Sequence, residues 1–167
     1  MSKRPEDRVT DEGLAYSLSK GEKAAAERAT KWPRRNQEGR ITDFRHLLEV
    51  VTVLLVVGLI AVALVDALSA WVRIGAWGDT GGWLGGIMAF WLYVEEFRSW
   101  RGIPGRGLAA LTAGLVSVAS GLVVGWLLSG FLPPLLNGAA GVSVAAYLYA
   151  PLWFFAIRRA ADREAGA

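Results

Sequence analysis

The chain has 167 residues, of which 53% are hydrophobic, and it contains 20 glycines and eight tryptophans but no cysteine. Without cysteine it cannot form disulfides, Cys-based zinc sites, iron–sulfur clusters or a catalytic thiolate. The net charge of +3 is small, and the single histidine cannot build a multi-histidine metal site within one chain. The sequence contains no catalytic or cofactor-binding motif, so we expect no catalytic residue, no metal and no cofactor.

The amino-terminal segment, residues 1–42, is polar and carries most of the charge. Eleven of the 18 Lys and Arg residues and eight of the 15 acidic residues precede Leu47. This mixture lacks the purer basic face of a nucleic-acid arm, so we expect no nucleic-acid partner. It suits a segment near anionic lipid headgroups. Residues 19–32 predict a short helix that starts with a Ser19-x-x-Glu22 capping box, and a solvated, partly frayed segment is the alternative.

The longest apolar run extends from Leu47 to Val72. Between Val50 and Val65 no residue is charged, and Thr52 is the only polar side chain. Because each helical residue adds about 1.5 Å, about 20 such residues cross the roughly 30 Å hydrocarbon layer of a bilayer. The run therefore predicts a transmembrane helix.

Three further apolar stretches follow, separated by short polar or proline-containing loops. The four predicted spans cover residues 47–72, 82–97, 108–131 and 135–157, each approximately. Several tryptophans lie near the ends of these stretches, which is typical of the aromatic belts at membrane surfaces. The pattern predicts an all-α integral membrane protein, with a four-helix transmembrane bundle at residues 43–159 and a short tail at residues 160–167.

The arginines predict the orientation of this bundle. The loop after the second span and the carboxyl tail each carry three arginines, the loop after the third span carries no Lys or Arg, and the loop after the first carries Arg73 alone. Positively charged loops favour the cytoplasmic side of a membrane. We therefore expect a multi-pass protein of the cell's inner (cytoplasmic) membrane, with both termini in the cytoplasm.

Small residues recur at every fourth position in two of the spans. The ridge in the third span consists of Ala113, Ser117, Gly121, Gly125 and Ser129, and the ridge in the second consists of Gly81, Gly85 and Ala89. Small residues allow helix backbones to approach closely within lipid. The two ridges are predicted partners of one another. A pathway or a self-association face is the functional interpretation, and ordinary packing within the chain is the alternative.

Asp66 is the one acidic residue placed well inside a span, about six residues or roughly 9 Å from its end. A carboxylate at that depth is unfavourable unless it faces a cavity, forms a pair or takes a proton. One hypothesis is a proton- or cation-responsive group in a pathway, with Arg73 close by. The other is a structural group that is hydrogen-bonded to a hydroxyl such as that of Ser69 or Ser129.

Glu95 and Glu96 lie at the carboxyl end of the second span, where the helix dipole disfavours negative charge. Arg98 and Arg101 follow and are candidate partners. This cluster predicts a salt-bridge network that locks the bundle, with an ion entrance or a docking site as the alternative. Adjacent helical positions point about 100° apart, so the two carboxylates do not converge on one substrate.

Three functions remain open at this point. The first is a structural or accessory membrane subunit that acts through helix packing and its basic cytoplasmic arm. The second is a small oligomeric ion or proton channel, or a transporter, that uses Asp66. The third is a membrane enzyme that acts on lipid near Glu95 and Glu96. The expected partners are a bilayer with anionic headgroups and either further copies of the chain, as a homo-oligomer, or a larger membrane complex.

Overall fold

The structure is a computed structural model that describes residues 32–36 and 38–166. The chain divides into two compact units, residues 1–41 and residues 42–167. The short helix predicted at residues 19–32 lies, except for its last residue, outside the described residues.

The described part of the first unit is a tight turn. The side-chain oxygen of Asn36 accepts hydrogen bonds from the backbone N–H groups of Glu38 at 3.1 Å and Arg40 at 2.8 Å. The Arg35 guanidinium donates to the carbonyl oxygen of Gly39 at 2.7 Å. Gly39 has a φ of 77°, a conformation that glycine adopts without steric cost. Local hydrogen bonds therefore organise this turn.

All regular structure among the described residues is helical. The second unit contains α1 (Phe44–Trp71), α2 (Gly78–Leu84), α3 (Ile87–Ser99), α4 (Arg106–Leu128) and α5 (Pro134–Ala165). Of these helices, α1, α4 and α5 are long and apolar enough to cross a membrane. The all-helical fold class is confirmed, and three of the four predicted spans are helices of membrane-spanning length.

The predicted second span, residues 82–97, is not one continuous helix. It is divided between α2 and α3, which are separated by Gly85 and Gly86. With 13 residues, α3 extends about 20 Å, which is less than the thickness of the hydrocarbon layer. Glycine is less favourable than alanine in a helix by about 1 kcal/mol per residue, so two adjacent glycines are a natural place for the break.

The helix α5 is longer than the predicted fourth span. It has 32 residues and continues to Ala165, through the stretch that we expected to be a tail. Alanine and glutamate favour helix, and Ala160, Ala161 and Glu164 carry the helix past the last apolar residues. Pro151 lies inside α5 without ending it.

The core of the second unit is built around α5, which packs along α4, α2 and α1. Half of the most apolar stretch of α5 is buried, compared with 22% of that of α1 and 17% of that of α4. The Tyr93 hydroxyl of α3 donates to the Ala146 carbonyl at 2.6 Å, and the Phe44 ring of α1 lies 5.3 Å from that of Phe154. Thus α5 is the central helix, and α1 and α4 leave most of their surface outside the bundle.

Glycines allow the closest backbone crossings in this core. A Cβ atom at Gly58 of α1 would collide with the carbonyl oxygen of Gly85, between α2 and α3. A Cβ at Gly82 of α2 would lie 2.6 Å from the carbonyl carbon of Gly138 in α5. The backbone of the α2–α3 segment is therefore wedged against α1 at one point and against α5 at another.

This geometry predicts that Gly82→Ala destabilises the protein. The added methyl group meets backbone atoms of α5, which cannot move aside as a flexible side chain would, so we expect a loss of about 1–3 kcal/mol or more in the free energy of unfolding. Gly114→Ala is the matched control, because its Cβ would lie 3.9 Å from the Tyr149 ring, an ordinary contact. Thermal unfolding of the purified variants, followed by circular dichroism, measures both. Equal midpoints for the two variants would contradict the crossing.

Candidate functional site

Asp66 fastens the loop that follows α1. Its carboxylate accepts a hydrogen bond from the backbone N–H of Trp77, at 2.6 Å. The indole N–H of Trp77 in turn donates to the Ser69 hydroxyl at 3.3 Å. Because Trp77 directly precedes α2, these two side chains of α1 hold the entrance of the next helix. The partner of Asp66 is therefore a backbone amide and not the hydroxyl of Ser69 or Ser129 that the sequence suggests.

Arg73 does not pair with Asp66 in the described part of the chain. Its backbone N–H donates to the Ala70 carbonyl at 3.1 Å, and its φ of 60° turns the chain out of α1. That left-handed conformation is uncommon for a residue with a side chain. Ser129 is also engaged locally, because its hydroxyl donates to the Trp126 carbonyl at 2.8 Å.

Glu95 and Glu96 have different environments. Glu95 pairs with Arg98 of the same helix at 3.2 Å, and such a surface pair contributes about 0–1 kcal/mol. Glu96 is only 2% exposed, whereas Arg101, beyond the end of α3, is exposed. Glu95 and Glu96 differ in exposure because adjacent helical positions point about 100° apart. The two carboxylates do not form one acid–base site.

Arg158 links the ends of two helices in a way that the sequence did not indicate. Its guanidinium donates to the backbone carbonyl of Thr42, just before α1, at 2.6 Å. The same group lies 4.6 Å from the centre of the Phe154 ring, a cation–π arrangement. Arg106 takes a similar position 4.7 Å from the centre of the Phe97 ring. These two arginines therefore make contacts within the fold, in addition to the part they play in predicting the orientation of the bundle in the membrane.

A second missed contact joins α2 to α5. The Asn137 side-chain amide donates to the Asp79 carboxylate at 2.9 Å, and Asn137 is 7% exposed. The neighbouring Gly138 lets the backbone of Asp79 approach closely. Asn137 is the one carboxamide in the predicted fourth span, and its position in an apolar stretch was the signal available in the sequence.

The small-residue ridge of the third span lies partly against α5. Its first three members, Ala113, Ser117 and Gly121, are buried. A Cβ at Gly121 would collide with the Gly141 carbonyl oxygen and lie 3.1 Å from the Ala145 side chain. The last two members, Gly125 and Ser129, are not buried, and a Cβ at Gly125 would meet no atom of the described part of the chain within 4 Å.

The ridge of the second span contacts other helices. Gly81, Gly85 and Ala89 are all buried. A Cβ at Gly81 would lie 3.1 Å from the Leu135 side chain of α5, and a Cβ at Gly85 would lie 3.1 Å from the Leu59 backbone of α1. The ridge of the second span therefore lies against α1 and α5, and its small residues do not meet those of the third-span ridge among the contacts of the described residues.

Among the described residues, no group of three or more His, Cys, Asp or Glu side chains is arranged to hold a metal ion. The chain matches no protein-family model, no curated protein and no solved structure. Function is therefore inferred from the contacts of the chain itself.

The Trp77 hydrogen bond predicts that Asp66→Asn is tolerated, because the amide oxygen of asparagine still accepts from the Trp77 N–H. Asp66→Leu removes the acceptor, and we expect a loss of about 0.5–1.5 kcal/mol, the net contribution of a typical hydrogen bond. The free energy of unfolding in detergent is measured for both variants. Asp66→Asn is the control, because it removes the charge and keeps the hydrogen-bond acceptor.

Proton and ion flux in liposomes tests the competing hypothesis for the same residue. We expect Asp66→Asn to leave flux equal to that of the parent protein. A parent flux that this substitution abolishes would contradict a structural role for Asp66.

Proposed function

We propose that the chain is an integral membrane protein that acts as a structural subunit and assembles with further copies of itself through α4. In this proposal α1, α4 and α5 cross the bilayer, and α2 with α3 forms a fourth, broken crossing. A helix break within a membrane is tolerated where it is buried in protein. The burial of Gly85 and Gly86 supports this arrangement.

The observation that carries the assembly proposal is that the small-residue ridge of α4 is buried within the chain over its first part only. Ala113, Ser117 and Gly121 are buried, and Gly121 lies against Gly141 of α5, whereas Gly125 continues the same spacing and a Cβ there would meet no described atom within 4 Å. Within lipid, helices associate where small residues let backbones approach, since apolar area alone gives no drive. The outer half of the ridge offers such a surface to a second α4.

Large apolar side chains beside this ridge are also exposed. Trp126 is 75% exposed and Leu122 is 57% exposed. In a bilayer lipid tails cover such side chains well, but in a helix pair they flank the small-residue contact and add packing. A symmetric contact between two copies uses the same face twice, which is the commonest form of oligomer interface.

The polar contacts within the spans support a structural role over a conducting one. The Asp66 carboxylate is engaged by the Trp77 amide, and the Tyr93 hydroxyl by the Ala146 carbonyl. The Asp79–Asn137 pair joins two helices of the same chain. Each of these groups fastens the fold, which supports an assembly role for the chain rather than an ion pathway through it.

The positive-inside pattern supports a location in the inner membrane with both termini in the cytoplasm. Arg159 and Arg163 are exposed on the last turns of α5, on the same predicted side as Arg101. Arginines at the cytoplasmic surface of a membrane are attracted to anionic lipid headgroups. The basic amino-terminal arm is proposed to act in the same way.

This proposal predicts that Gly125→Leu weakens self-association. The added side chain occupies the space that a second helix needs, whereas its Cβ meets no atom of the described residues within 4 Å. We expect association measured by energy transfer between labelled copies in liposomes to fall about tenfold or more, as it would if one close contact were lost. The midpoint temperature of thermal unfolding of the variant should stay near that of the parent.

Ala119→Leu is the control, since it adds similar bulk at an exposed position on a different face of α4. We expect it to associate as the parent does. A parent chain that remains monomeric at high protein-to-lipid ratio, or a Gly125→Leu variant that associates normally, would overturn the assembly role.

A further inference from the structure

An apolar cavity of about 340 Å³ lies between α3 and α4, next to α5. Four aromatic rings line it, those of Phe90, Tyr93, Phe97 and Tyr149. Opposite them α4 contributes Ala110, Gly114 and Ser117, which are too small to fill the space. The cavity therefore arises where a row of rings faces a row of small residues.

Ser117 brings an unsatisfied polar group to this cavity. The residue is 1% exposed, and its hydroxyl has no hydrogen-bond partner among the described residues. The hydroxyls of Thr52, Thr112, Ser120 and Ser143 all donate to the carbonyl four residues earlier in their helices, at 2.7–2.8 Å. An unmade hydrogen bond in an apolar setting is unfavourable, so the exception at Ser117 calls for a partner.

The other hydroxyls of the cavity do not supply that partner. The Tyr93 hydroxyl is engaged by the Ala146 carbonyl at 2.6 Å. The Tyr149 ring lies 4.3 Å from that of Tyr93, and we find no hydrogen bond from its hydroxyl within the described residues.

The depth of Ser117 narrows the class of ligand. It lies eleven residues after Arg106, the first residue of α4, and therefore about 16 Å along the helix axis. If α4 spans the bilayer as proposed above, this position is near the middle of the roughly 30 Å hydrocarbon layer. The ester carbonyls of phospholipids lie at the edge of that layer, so they do not reach the Ser117 hydroxyl.

We propose that the cavity binds a quinone-class lipid, with one ring carbonyl accepting a hydrogen bond from Ser117. A flat ring stacks favourably against aromatic side chains in offset or tilted arrangements. The cavity volume is near the lower end of the range for small-molecule sites, about 300–1,000 Å³, which fits one substituted ring and the start of its tail. The exposed side chains of Val94 and Val118, which also line the cavity, leave a route for the tail into lipid.

Decylubiquinone is the probe, with decylbenzene as the analogue that has a ring and tail but no carbonyl. Decylubiquinone binding to the purified full chain in detergent is measured by quenching of tryptophan fluorescence, and decylbenzene binding by the recovery of fluorescence as it displaces decylubiquinone. We expect Ser117→Ala to weaken decylubiquinone binding about tenfold, the effect of one lost hydrogen bond, while leaving decylbenzene binding unchanged. Without ligand, Ser117→Ala should unfold at the same temperature as the parent or higher, since it removes an unsatisfied group.

Ser120→Ala is the matched control, because its hydroxyl lies on the same helix, is already bonded to Val116, and does not line the cavity. Gly114→Leu should abolish binding by filling the space beside Tyr149, and Ala110→Leu tests the same point if the first variant does not fold. Gly125→Leu should bind as the parent does, which separates this site from self-association.

Three results would overturn the proposal. One is equal affinity of the parent for decylubiquinone and decylbenzene. Another is unchanged decylubiquinone affinity in Ser117→Ala. The third is unchanged affinity in the folded cavity-filling variants, which would locate any binding elsewhere.

Discussion

Close approaches between glycine backbones bring the helices of this fold together, and the other interhelical contacts form around these crossings. Gly58 meets Gly85, Gly82 meets Gly138, and Gly121 meets Gly141, each where a side chain would separate two helices. The Asp79–Asn137 hydrogen bond forms beside one of these crossings, because the crossing brings α2 within reach of α5. No comparable glycine contact joins α3 to α4 in the described residues, and the aromatic-walled cavity lies between those two helices.

The polar side chains follow a common logic, since most of them fasten one segment to another. Asp66 holds the start of α2, Arg158 holds the start of α1, and Tyr93 ties α3 to α5. A group that is satisfied within the chain has little left to offer a substrate or an ion. The outer part of the α4 ridge and the Ser117 hydroxyl differ from these groups, because the first meets no neighbour and the second has no hydrogen bond among the described residues.

Much of the helical layout could be predicted because it depends on composition over long stretches. Uninterrupted apolar runs predicted α1, α4 and α5, and proline and arginine predicted where the chain turns between them. The break at Gly85 was not predicted, because glycine in an apolar run is compatible either with a continuous span or with a bend. The backbones of α1 and α5 occupy the space on either side of it, and those contacts are not visible along the sequence.

The helical class, the presence of three long apolar helices and the small-residue spacing could be predicted, because each follows from neighbours along the chain. Three-dimensional packing was needed to establish which helix each ridge faces, where the Asp66 carboxylate is bonded, and that Ser117 borders a cavity. Those features depend on pairs of residues far apart in the chain, such as Gly121 with Gly141 and Tyr93 with Ala146. The periodicity of the sequence shows which residues share a face of a helix, but the packing of the helices decides which other helix contacts that face.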